Sequence, residues 1–133
     1  MQSLENCEFV IEILEIEHIV SDSQYFEIFF STVDGERYKF IFNRVWDMRY
    51  SIENASIDRF CEFRKCLPEG IIDTCVYVVK NSDYIKYFEQ QVSGTLPTDE
   101  LTHYIVSDRT DTTLDILANY YKPVLVQISE SSS

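Results

Sequence analysis

The stretch YFEIFFSTVDGERYKFIF, residues 25–42, decides the fold. Two runs dense in aromatic and β-branched residues flank Asp34-Gly35, the strongest two-residue hairpin signal a sequence offers. With Asp34 and Gly35 as the loop, Val33 faces Glu36. Counting outward sets Phe29 opposite Phe40 and, on the other side, Ile28 opposite Ile41. Both faces of the hairpin are then apolar near its middle. A strand with one solvated face does not read this way. Either helices cover one side and a curved sheet folds over the other, or a partner supplies the cover. A homodimer joined through Phe29 and Phe40 is one such arrangement.

Upstream, CEFVIEILEIEHIV (7–20) alternates apolar and acidic residues, the pattern of a strand. The alternation slips at Ile13-Leu14. A bulge there puts Phe9, Ile11, Ile13, Leu14, Ile16 and Val20 on one face. Glu8, Glu12, Glu15 and Glu17 then form an acidic stripe on the other. SDSQ (21–24) is a turn.

Downstream, ERYKFIFNRVW runs to Trp46 and MRYSIENAS (48–56) reads as irregular. SIDRFCEFRKCLPEG (56–70) reads as a short helix with Ser56 as N-cap, stopped by Pro68 and Gly70. DTCVYVVK (73–80) is a strand. NSDYIKYFEQQVSG (81–94) is a second helix, capped by Ser82, begun by Asp83 and ended by Gly94. LTHYIVSD, TTLDILAN and PVLVQI give three late strands, the first two joined through DRTD. The expected fold is α+β: a single domain over 1–128 with a frayed tail at 129–133. A mainly antiparallel twisted sheet of about six strands carries two short helices, in the order βββ-α-β-α-βββ.

The chain has 133 residues, enough for one core without staples. It carries 11 basic and 23 acidic side chains, a net charge of -12. That charge repels phosphate over most of the surface, so no nucleic-acid partner is expected. An anionic membrane surface is disfavoured for the same reason. A basic partner would be steered in. The start MQSLENCEF shows neither a basic nor an apolar leader region. Cys7, Cys61, Cys66 and Cys75 are therefore expected to be reduced, in the cytoplasm. Zinc fits poorly: there is no Cys-x-x-Cys pair and the chain has two histidines. No cofactor motif is present.

LTHYIVSDRTDTTLD (101–115) gathers the candidate chemistry. A Ser-His-Asp reading of His103, Ser107 and Asp108 needs a serine on a tight turn, and none of the three glycines brackets one. On one strand His103 and Ser107 lie roughly 13 Å apart, too far for a hydrogen bond. His103 with a carboxylate from another element remains the enzymatic alternative. Asp108, Asp111 and Asp115 do not have the spacing of a calcium loop. Asp and Thr in DRTDTT are ordinary turn residues.

What remains is surface. Glutamate is not a favoured strand residue and four on one face repel, a cost that a cationic partner would relieve. The expected contact residues are Glu8, Glu12, Glu15 and Glu17, with Asp108 and Asp111 at a hairpin tip. Trp46 joins them, since Trp, Tyr and Arg dominate binding hot spots.

In size, acidity, α+β pattern and lack of a catalytic motif, the chain resembles the small acidic immunity proteins that bacteria make against secreted toxins. HYIVSD…LDILANYYKP is similar to the C-terminal hairpin of small bacterial proteins found in that setting. The resemblance implies a role, one-to-one toxin neutralisation without catalysis, and carries over no binding residues. The expected partner is thus a basic toxin domain, such as a nuclease.

Overall fold

The computed structural model describes residues 3–9, 11–51, 75–94, 100–110, 112–119 and 122–128. Among them are nine strands and one helix: β1 (Ser3–Asn6), β2 (Ile13–Asp22), β3 (Tyr25–Thr32), β4 (Arg37–Phe42), β5 (Val45–Ser51), β6 (Val76–Lys80), α1 (Asp83–Val92), β7 (Leu101–Ser107), β8 (Thr113–Asn119) and β9 (Val124–Gln127). They form a five-stranded sheet, β1-β6-β7-β8-β5, and a four-stranded sheet, β2-β3-β4-β9. Every pairing is antiparallel.

This corrects the expected single sheet of about six strands with two helices. The antiparallel character holds, but the strands divide between two sheets. Two of them were not expected. Ser3–Asn6 pairs with β6. Val45–Ser51 pairs with β8 across a bulge between Val45 and Asp47, which hides its alternation in the sequence. The helix expected over 56–70 lies outside the described residues, as does Asp111.

The decisive hairpin forms with a different register. Thr32 N–H donates to Glu36 O at 2.8 Å and Gly35 N–H to Thr32 O at 3.0 Å. Gly35 has φ +84°. This is a three-residue loop, Val33-Asp34-Gly35, with glycine as the left-handed residue of a bulge. One added loop residue shifts the pairing by one: Phe29 faces Lys39, Ile28 faces Phe40 and Glu27 faces Ile41. Phe26, Ile28, Phe30, Tyr38, Phe40 and Phe42 thereby share one face. Phe40 sits fully buried, edge-on to Phe9 at 5.1 Å and stacked with Phe30 at 5.3 Å. The expected dimer contact through Phe40 is therefore corrected: Phe40 is core.

That face packs on the inner face of the five-stranded sheet. Ile13, Ile28, Phe30, Phe40 and Phe42 meet Val76, Tyr104, Val106, Leu114, Ile116 and Ala118 in one cluster. Phe42 meets Tyr104 edge-on across the sheets at 5.6 Å. The outer face of the five-stranded sheet takes α1, whose Tyr84 and Phe88 pack on Leu117. Ser82 caps this helix by accepting from Ile85 N–H at 3.1 Å, as the sequence leads one to expect. Ser93, with φ 48°, closes its last turn.

β2 has two register shifts, between Ile13 and Glu15 and between Ile16 and His18. Each extra residue resets the alternation, so Ile13, Ile16 and Ile19 turn inward at three-residue spacing. The expected bulge at Ile13-Leu14 is present, but Leu14 and Val20 point outward, 42% and 45% exposed.

Candidate functional site

The β7–β8 turn joins the two sheets. Asp108 is buried. Its Oδ1 accepts from Thr110 N–H at 3.0 Å and Thr112 N–H at 2.9 Å. Its Oδ2 accepts from Ile16 N–H, in the other sheet, at 2.9 Å. Arg109 N–H donates to Ile13 O at 3.0 Å and Leu14 O at 3.2 Å. The bulge leaves main-chain groups of β2 outside the regular ladder, and this turn satisfies them. Asp108 is thus a fastening between sheets rather than the exposed acidic tip expected of it. At 6% exposure, with three main-chain N–H groups on its oxygens, Asp108 presents little to a partner.

His103 lies on the outer face of β7, under α1. Its Nδ1 is 2.6 Å from Ser82 Oγ and its Nε2 is 2.7 Å from Asp115 Oδ1. Serine, histidine and aspartate are thus in line, built from the α1 cap, β7 and β8. The intrastrand pair of His103 and Ser107 is absent, as strand geometry requires. The ring of Tyr84 stands edge-on to the imidazole at 5.3 Å, and the Tyr84 hydroxyl donates to Asp47 at 2.7 Å. Burial and that hydrogen bond raise the tyrosine's pKa far above its ordinary value.

Nucleophilic chemistry needs a serine oxygen that a carbonyl can reach. Ser82, His103 and Asp115 are 4%, 5% and 1% exposed. Ser82 Oγ already accepts a helix N–H. Both ring nitrogens of His103 have a partner within hydrogen-bond distance, Ser82 on one side and Asp115 on the other. The array ties the helix cap to two strands.

Sequence reading placed Ser82 as the cap but missed its bond to His103, and missed Asp115 as the carboxylate partner. A signal was present. Asp115 stands mid-strand in TTLDILAN, whose neighbours are apolar, and a buried carboxylate demands a partner.

Glu8, Glu12, Glu15 and Glu17 are all exposed. They do not form one stripe on one strand. Glu8 and Glu12 lie in the segment that crosses from β1 to β2, with Cys7, Phe9 and Ile11 turned into the core beneath them. Burial raises the Cys7 thiol pKa. Glu15 is on β2. Glu17 is the second bulge residue and binds Arg37 at 2.9 Å. Among the described residues Glu8, Glu12 and Glu15 have no ion pair.

Trp46 packs against Tyr84, Phe88 and Leu117. Its indole N–H is enclosed. The role of Trp46 in closing this second core is the larger one, and it does not stand out as an open contact.

No group of three or more His, Cys, Asp or Glu among the described residues is placed to hold a metal ion. No helix among them is long and apolar enough to cross a membrane. Comparison of the chain with protein-family models, with curated proteins and with solved structures returns no match.

Proposed function

We propose that the chain is a non-enzymatic cytoplasmic binding protein that neutralises a basic protein partner, in the manner of an immunity protein against a toxin domain. The observation that carries this reading is the set of exposed carboxylates, Glu8 and Glu12 on the β1–β2 crossing and Glu15 on β2, that have no ion pair among the described residues, in a chain of net charge -12. Cys7, Phe9 and Ile11, packed on the core, anchor the neighbours of Glu8 and Glu12, and Glu15 is held by the ladder of β2. Carboxylates so placed attract lysine and arginine at long range and speed encounter.

One further observation supports the reading. The Ser82–His103–Asp115 array is enclosed, and both ring nitrogens of His103 have a partner within it. The test is titration with the polypeptide encoded beside it, following binding and protection from its activity. One-to-one binding lost on Glu12→Lys with Glu15→Lys is the expected result. No binding, together with undiminished protection when the gene is deleted, overturns the reading.

A further inference from the structure

The outer face of the four-stranded sheet is apolar at its centre and acidic at its ends. In register across the sheet, one row reads His18, Phe29, Lys39, Val126 and the next Val20, Glu27, Ile41, Val124. Phe29, Ile41, Val124 and Val126 belong to no core cluster of the described residues. Val20 and Val124 are 45% and 52% exposed. Phe29 is partly buried, stacked by His18 at 4.3 Å. An exposed apolar patch rimmed by polar residues marks a docking surface.

Two further rows close the face. Glu15 stands opposite Ser31, which in turn faces Arg37, and Asp22 stands opposite Tyr25. Ser31, Phe29, Glu27 and Tyr25 alternate with the buried positions of β3, so Glu15 and Asp22 share the outer face with them. Along β3 these two end rows are roughly 20 Å apart. Glu15 and Asp22 are exposed, and neither has an ion pair among the described residues. Both cations are engaged: Lys39 binds Glu27 at 2.6 Å and Arg37 binds Glu17 at 2.9 Å. The charge left over is negative at both ends of an apolar centre.

That balance selects among covers. A second copy brings the same surplus of carboxylates, on a molecule of net charge -12, and is repelled. A polypeptide with an apolar segment between basic residues matches the face at its centre and at both ends. Glu15 is also one of the three carboxylates that carry the proposed function, so the acidic crossing and this face meet at one residue.

We infer that the basic protein partner docks across this outer face, seating an apolar segment on Val20, Phe29, Ile41 and Val124 and placing lysine or arginine at Glu15 and at Asp22. Such docking rests on the proposed function and fixes where its partner sits. The two parts of the face act on different rates. The end carboxylates speed encounter, and the apolar centre, once water has left it, slows departure.

The test measures association and dissociation of the adjacent-gene polypeptide on the full chain, together with the sedimentation mass of the chain alone. Val20→Glu with Val124→Glu adds negative charge, so attraction by charge alone would tighten binding. Docking on the apolar centre gives the opposite: dissociation about tenfold faster, with association no slower. Val20→Thr with Val124→Thr keeps the shape and strand preference of valine. It shortens the lifetime of the complex severalfold, and decides the matter where the glutamate pair fails to fold. Tyr87→Ser, 53% exposed on α1, changes neither rate. A complex weakened by Glu12→Lys with Glu15→Lys but indifferent to both valine pairs overturns the docking face and leaves the proposed function standing. A wild-type chain that does not bind overturns both. A chain that sediments alone as a dimer, and is dispersed by the valine changes, gives the face to a second copy and likewise overturns the proposal.

Discussion

At the scale of single residues, the carboxylate of Asp108 fastens one sheet to the other. It accepts three main-chain N–H groups, one of them from the other sheet. Asp108→Ala leaves those donors without acceptors and should cost about 3 kcal/mol. Asp108→Asn keeps one oxygen but sets an amide N–H₂ against a donor, so it should cost less than alanine and more than nothing. Urea unfolding of the three proteins checks the order, and equal stabilities would remove the fastening from the account. The sequence showed Asp108 as a turn residue. It did not show that the turn reaches β2, because that contact spans 92 positions and depends on how two sheets pack.

Tyr104 sets a pH limit on the same scale. Burial pushes its hydroxyl up to about 12. The folded chain therefore keeps a proton that the unfolded chain releases above about pH 10. The stability from this group is complete below that pH and is lost as pH rises towards the folded value. Denaturant unfolding at increasing pH should show Tyr104→Phe losing less stability above about pH 10 than the parent. Parallel profiles would mean that Tyr104 does not contribute.

At the scale of elements, the β3–β4 hairpin shows what was legible and what was not. Asp34-Gly35 marked the turn, and the flanking residues marked both strands. The register was wrong by one, because Gly35 serves as the left-handed residue of a three-residue loop rather than as the second of two. That single residue changes which ring meets which: Phe40 goes to the core and Phe29 to the outer face. Gly35→Ala meets no atom within 4 Å at the new Cβ, so only the positive φ is penalised. A loss of about 1 kcal/mol is expected, and a thermal melt unchanged from wild type would contradict the loop assignment. β2 resisted reading for a related reason: two bulges give it a three-residue apolar spacing that belongs to neither a plain strand nor a helix. By contrast α1 was read correctly, since a serine cap, a first-turn aspartate and apolar residues at helical spacing are all local signals.

On the scale of the whole molecule, two sheets meet face to face, a helix covers part of one outer face, and the other outer face is apolar at its centre. The residues that looked most like chemistry are enclosed: Asp108 fastens the sheets, and His103 ties α1 to β7 and β8. Among the described residues Glu8, Glu12 and Glu15 stand outside, exposed and without an ion pair. Sequence composition made that charge plain, while its division between a crossing segment and a bulged strand required the fold. Binding by such a surface has a kinetic signature, because charge complementarity acts mainly on the rate of encounter. The most direct measurement is the association rate with the adjacent-gene polypeptide, for the wild type and for Glu12→Lys with Glu15→Lys, at about 0.05 M and about 0.5 M salt. The account predicts fast association at low salt, a steep fall at high salt, and about a tenfold loss in the variant that narrows as salt rises. A rate indifferent to both salt and charge reversal would contradict it.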